Sequence, residues 1–119
     1  YYDIILSLEV IEHVQNVDFY LETCCSLLKK GGLIFTATIN RTFTSYIKAI
    51  IGAEYVLRWL PIGTHDWNKF IKPEELESKL TNFDISIQDI KGLSFNPINQ
   101  KWKKSNNTSV NYILIGLKN

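Results

Sequence analysis

Apolar and polar positions alternate along this chain in blocks of different period. Residues 2–8, YDIILSL, form a short apolar run ending in small and polar residues. That is the pattern of a strand buried on both faces within a parallel sheet. From Val17 to Lys29 the apolar positions Val17, Tyr20, Leu21, Cys24, Leu27 and Leu28 recur at helical spacing. Asn16 is placed to cap that helix, or Asp18 a turn later. Lys29 and Lys30 suit its carboxyl end, and Gly31-Gly32 is expected to stop it. LIFTATI, residues 33–39, is apolar and β-branched, a second strand. Strand, helix and strand make a βαβ unit, and the right-handed crossover sets the two strands parallel.

Further along, residues 43–60 read as a long helix and 61–71, PIGTHDWNKFI, as a loop. KPEELESKLT, 72–81, is a short helix with Pro73 in its first turn and acidic residues after it. FDISIQDI, 83–90, alternates strictly through Phe83, Ile85 and Ile87, then resumes at Ile90 after a slip, as a half-exposed strand does. GLSFNPINQKWKKSNNTS reads as a long loop, and residues 110–117, VNYILIGL, as the last strand.

A chain of 119 residues, 45% apolar and 21% charged, is one soluble globular domain at most. Its net charge of +1 gives no basic footprint for nucleic acid, and the Lys101, Lys103, Lys104 run reads as a solvated loop. Cys24 and Cys25 are adjacent and cannot easily bridge, so free thiols in a reducing compartment are expected, at least one of them in the core. No membrane span or signal peptide is expected, because Lys48, Glu54 and Arg58 interrupt the most apolar region. The chain opens in mid-strand on Tyr1-Tyr2 without a Met, the expectation being a piece of a longer protein.

The chemistry concentrates in LSLEVIEHV, where Glu9, Glu12 and His13 follow directly on the first strand. Open α/β sheets bind ligands beyond the carboxyl ends of their strands. If residues 9–13 turn helically, Glu9 and Glu12 lie three apart and Glu9 and His13 four apart, on one face. Two carboxylates and an imidazole there suit a divalent cation such as Mg²⁺ or Mn²⁺. The plainer alternative is that a glutamate caps the next segment or pairs with a lysine, and that His13 is a satisfied core histidine.

YDIILSLEVIEHV followed by LLKKGGLIFTATINR resembles the second half of a class I S-adenosylmethionine-dependent methyltransferase. IIGAEYVLRWLPIGTHDWNKFIKPEEL and GLSFNPI resemble, more narrowly, the 3-demethylubiquinol/polyprenyl-dihydroxybenzoate O-methyltransferases of ubiquinone biosynthesis. The resemblance runs from Tyr2 nearly to the carboxyl end. It implies a Rossmann-like α/β fold in which this chain supplies strands 4-5-7-6, with strand 7 antiparallel. The whole of residues 1–119 would then be a partial methyltransferase domain. The family's glycine-rich cofactor loop has no counterpart here, and strand four becomes an open apolar edge prone to aggregation.

The resemblance further implies S-adenosylmethionine as methyl donor, with Ser7 and Leu8 near it. It makes Glu9, Glu12 and His13 metal ligands, with Mg²⁺ the metal, and His65 the candidate catalytic residue. The substrate implied is a catechol-type hydroxyl on a polyprenylated quinone precursor. On a helical wheel Phe43, Tyr46, Ile47, Ile50, Ala53, Leu57 and Leu60 form a wide apolar face with Trp59 and Trp67 near its end. Phe43–Leu60 is therefore expected to dock on a membrane surface, on the cytoplasmic side of the inner membrane or the matrix side in mitochondria. Other ubiquinone-biosynthesis enzymes are candidate partners. The alternatives are a non-catalytic membrane- or partner-binding fragment and, from E-x-x-E-H alone, an RNA 2′-O-methyltransferase. Neither the charge nor GAEYVLR and GTHDW favours RNA.

Overall fold

A computed structural model of the chain describes residues 1–46, 58, 67–96, 98–99 and 101–119. Five strands form one sheet: β1 (Tyr2–Leu8), β2 (Leu28–Ile39), β3 (Ile85–Asn96), β4 (Lys101–Ser105) and β5 (Asn111–Lys118). Their spatial order is β1-β2-β5-β3-β4. β1 and β2 are parallel, and every other neighbouring pair is antiparallel. The expected half-sheet, with its antiparallel last strand inserted beside the second, is thus present, and β4 extends it by one strand. Among the described residues the α-helices are α1 (Val17–Ser26), α2 (Phe43–Ser45) and α3 (Pro73–Thr81).

Local chemistry accounts for most boundaries. The Asn16 side chain accepts the Phe19 N–H at 3.0 Å and caps α1. At α3, Pro73 sits in the first turn, and Glu75 reaches back to accept the Lys72 N–H at 2.9 Å. The slip in the alternation of β3 is a bulge: Ile87 pairs with Gly116 but Asp89 with Ile115, leaving Gln88 as the extra residue.

Three expectations fail. Lys29, Lys30, Gly31 and Gly32 do not end the helix. α1 stops at Ser26, Leu28 already pairs with Tyr2, and the next matched pair is Ile4 with Leu33. KKGG is therefore an excursion inside β2, with its lysines exposed. Leu28, 3% exposed, is worth more in the core than at a helix end. Gly31 takes φ 80°, and a side chain on Gly32 would meet the Asp3 carbonyl at 2.8 Å. The long loop after residue 90 is instead a β-hairpin, because β3 runs on to Asn96 and pairs with β4. Nor is β1 buried on both faces: Ile4, Leu6 and Leu8 are 56%, 63% and 51% exposed. Of the long helix expected over residues 43–60, α2 and the following Tyr46 and Arg58 are described. The rest, including Trp59, lies outside the described residues.

The core lies on one side of the sheet. Ile34 and Leu114 from the strands meet Leu21, Leu76 and Leu80 from α1 and α3, all fully buried. On the opposite side the register aligns Ile4, Leu33 and Leu117, then Leu6, Phe35 and Ile115, then Leu8, Ala37 and Ile113. Those rows are apolar across three strands. Trp67 and Phe70 pack against Ile39 at their carboxyl end. Toward β1 no described element covers them.

Candidate active site at the strand ends

β1 and β2 both point their carboxyl ends at the segment Glu9–Val14. The Glu9 N–H still bonds the Ala37 carbonyl at 2.8 Å, so the ladder persists one residue beyond β1. Glu9 then takes φ 58°, which breaks the strand direction and turns the chain over the sheet edge. A single 3-10 turn, Ile11–His13, follows, closed by the His13 N–H to the Val10 carbonyl at 2.9 Å. Ile11, fully buried, anchors the turn in the core.

That turn carries Glu12 inward. Its residue is 3% exposed, unusual for a carboxylate. The Thr38 hydroxyl donates to Glu12 Oε2 at 2.6 Å. Oε1 is buried and has no hydrogen-bond partner among the described residues. His13 Nε2 stands 4.0 Å from Oε1, with the imidazole half-exposed. A half-satisfied buried carboxylate is costly, and such costs gather at functional sites.

Glu9 does not join that pair. Its backbone lies outside the 3-10 turn, and its Oε1 accepts from Asn111 Nδ2 at 3.5 Å, on the solvent side. The single helical face expected for Glu9, Glu12 and His13 is therefore absent. The left-handed backbone at position 9 ends the strand before the turn begins, so the three residues do not share one helical turn. Among the described residues no set of three His, Cys, Asp or Glu is close enough to hold a metal ion. Of the three, Glu12 and His13 stand together, with Oε1 4.0 Å from Nε2. His65 lies outside the described residues.

The two residues expected near a cofactor part ways. Ser7 is fully buried, and its hydroxyl is engaged with the Tyr20 hydroxyl of α1 at 2.8 Å. Leu8 points to the open side. Burial raises the Tyr20 phenol above its ordinary pKa, against the lowering effect of Ser7. Both thiols are free; burial raises Cys24 and pushes Cys25 up to about 11.

Loops from three elements wall the site. Asn40 Nδ2 donates to the Thr108 carbonyl at 2.9 Å, and Trp67 Nε1 to the Thr42 carbonyl at 2.8 Å. Arg41 reaches the Phe70 carbonyl at 3.2 Å and Glu75 at 3.1 Å. The buried Tyr112 hydroxyl donates to the Ile71 carbonyl at 2.7 Å. Burial, with Glu75, Glu74 and Glu12 around it, drives its pKa far up. Thr38 and Asn111 went unnoticed in the sequence. The available signal was a hydroxyl on the inward face of LIFTATI, where an apolar side chain would otherwise stand.

Residues 1–90 match the family model described as "Methyltransferase domain". Among curated proteins, the chain is 49% identical to the ubiquinone biosynthesis O-methyltransferase of Pelagibacter ubique, over 99% of this chain and 49% of that protein. It is 48% identical to the protein of the same name from Chelativorans sp., over 98% of this chain and 46% of that protein. The chain thus spans about half the length of the curated relatives it matches. Among solved structures it superposes on a Thermotoga maritima S-adenosylmethionine-dependent methyltransferase, described as a possible histamine N-methyltransferase. The TM-score is 0.65 at 18% identity, covering 98% of this chain and 56% of that one. A magnesium protoporphyrin IX methyltransferase from Synechocystis, solved with bound S-adenosylhomocysteine, gives 0.60 at 17% identity, covering 99% and 45%. At these identities the two structures establish the fold alone, an α/β sheet of the S-adenosylmethionine-dependent methyltransferase class. The matched domain takes in β1, β2, both long helices and the Glu12–His13 turn, and the chain belongs to the methyltransferase domain family.

Proposed function

We propose that the chain is the carboxyl half of an S-adenosylmethionine-dependent O-methyltransferase of ubiquinone biosynthesis. Its substrate would be a catechol-type hydroxyl on a polyprenylated precursor, as in 3-demethylubiquinol. The observation that carries this reading is the 49% identity to the Pelagibacter ubique enzyme across 99% of the chain. The buried, half-satisfied Glu12 at the strand ends supports it, since that is where such sheets bind ligands.

A phenol titrates near pH ~10 and is a poor nucleophile at neutral pH. A divalent cation, Mg²⁺ in this reading, would polarise the two neighbouring hydroxyls as a Lewis acid. Glu12 and His13 would hold it, with Glu9 joining only by a change of side-chain direction. Thr38 fixes Glu12 Oε2 and so leaves the buried Oε1 as the free acceptor. The imidazole of His65, or of a metal-free His13, would take the phenolic proton. Of the two proposed cofactor contacts Leu8 has a side chain available, whereas Ser7 could offer only its backbone. S-adenosylmethionine supplies an electrophilic methyl, and the protein's share is to align it with the phenolate.

Among the described residues no helix is long and apolar enough to cross a membrane. A polyprenyl substrate still requires access to a bilayer, and Phe43–Leu60 is the proposed docking element, making the enzyme peripheral on the inner membrane. Ile50→Glu with Leu57→Glu should weaken liposome flotation of the full-length enzyme if that segment docks. Other ubiquinone-biosynthesis enzymes are proposed partners on the same grounds of family.

The half-length coverage and the open β1 side favour a second reading, a non-catalytic fragment that binds a partner. The deciding experiment joins this chain to the portion of the Pelagibacter ubique protein that it does not span. Methyl transfer from labelled S-adenosylmethionine to a prenylated catechol is expected from the chimera, and no cofactor binding from the chain alone. A folded chimera without transfer would leave the fragment reading standing.

A further inference from the structure

Charge is distributed unevenly along this chain. All 12 carboxylate side chains precede Ile90, whereas five cations, Lys91, Lys101, Lys103, Lys104 and Lys118, follow it. Side-chain charge is therefore −4 over residues 1–89 and +5 over 90–119, although the total is only +1. The fold gathers most of the positive half at one place. β4 is the last strand of the sheet, at the opposite edge from β1. Its lysines are exposed, and the β3 residues paired with them are Leu93, Ser94 and Asn96, none acidic.

The same hairpin exposes apolar side chains. Ile98 in the turn is 94% exposed, and Trp102 is 55% exposed. Strand alternation sends Trp102 and Lys104 to the side of the sheet that carries Leu6 and Phe35. Lys101 and Lys103 go to the other side. Lysines on an edge strand can simply discourage strand pairing between molecules. That role gives no reason for an exposed Ile at the turn or an exposed Trp between two lysines. A nucleic-acid surface would use the lysines but leave Ile98 unmatched. An interface that is anionic outside and apolar beneath uses all of them.

We propose that the β3–β4 hairpin is a docking element for an anionic lipid bilayer, with Ile98 and Trp102 entering the headgroup boundary and Lys101, Lys103 and Lys104 pairing with lipid phosphates and carboxylates. The inference uses no residue of the 43–60 segment and does not depend on the methylation reading. It adds a second contact that would fix how the sheet stands on the membrane.

The test is co-sedimentation of the 119-residue chain with phosphatidylcholine vesicles containing phosphatidylglycerol. Each lysine near such a surface contributes about fivefold to partitioning, so Lys101→Gln with Lys103→Gln and Lys104→Gln should weaken binding about a hundredfold. A control that neutralises Lys29, Lys30 and Lys69 instead should retain most of it. Binding should weaken in high salt and with phosphatidylcholine alone. With Trp59 and Trp67 replaced by Phe, brominated lipid should quench the fluorescence of Trp102, now the sole tryptophan, a readout independent of any loss of solubility. Equal loss in the control, unchanged binding of the hairpin variant, no quenching of Trp102 as the sole tryptophan, or tighter binding to single-stranded RNA than to vesicles would each overturn the proposal.

Discussion

The two sides of the central sheet are built from the same strands and the same residue types, yet they end in different states. On the α1/α3 side Ile34, Leu114 and Tyr112 are fully buried. On the other side Ile4, Leu6 and Leu8 are more than half exposed, although they stand in register with Phe35 and Ile115. Each such residue leaves about 1 kcal/mol or more of burial unrealised. Hydrophobicity along a strand therefore reports what a face is built to bury, not what these 119 residues cover. The chain spans about half the length of the curated relatives it matches.

The sharpest way to test that contrast is truncation on both sides. Leu114→Ala should cost about 3 kcal/mol in urea unfolding, because it opens a cavity in packed core. Leu6→Ala should change stability by less than about 0.5 kcal/mol. Equal costs would mean that the β1 side is covered in solution. Thiol reactivity probes the covered side next. With its thiol pushed up to about 11 by burial, Cys25 should alkylate at pH 8 about a hundredfold more slowly than a free cysteine. Fast labelling of both thiols would show that the α1 side opens readily.

A smaller effect should come from the α3 start. Partial burial opposes ionisation of Glu75, but the Lys72 N–H and Arg41 outweigh it and hold the carboxyl below its ordinary range. Its folded pKa is lowered, so the stability it contributes is present above the unfolded carboxyl pKa of 4.5 and is lost as pH falls through the folded value. Glu75→Gln should cost about 1 kcal/mol at pH 7 and nothing at pH 2, read from denaturant midpoints. The smallest change in free energy has the most visible consequence. Leu6→Lys should leave stability nearly unaltered and raise the monomer fraction in sedimentation. A wild-type chain that is already monodisperse would contradict the open-edge account.

Much of this architecture was legible from residue pattern. The βαβ start, Asn16 as cap, Pro73 at the start of α3 and the slip near Gln88 each rest on a local rule that the tertiary structure respects. KKGG misled because basic residues before a double glycine signal a helix end, while the competing demand to bury Leu28 and pair it with Tyr2 is non-local. The hairpin was hidden because Asn, Lys and Ser are poor strand formers, and β4 is held by its pairing with β3. At the site, the position of Glu12 and His13 could be read from their place after a strand. The left-handed turn at Glu9, which ends the strand, has no signature in LSLEVIEHV. The Thr38 bond spans 26 residues and appears only once β1 and β2 are side by side.

The central claim is that Glu12 is placed for chemistry at a cost to the fold. Glu12→Gln, made in the chimera that restores the relatives' length, tests it most directly, because the amide preserves shape and an acceptor for Thr38 while removing the carboxyl group. The account predicts a melting temperature unchanged or raised, with methyl transfer down by about a hundredfold or more. A melting temperature lowered by several degrees with transfer intact would show that Glu12 is a structural residue, and would contradict it.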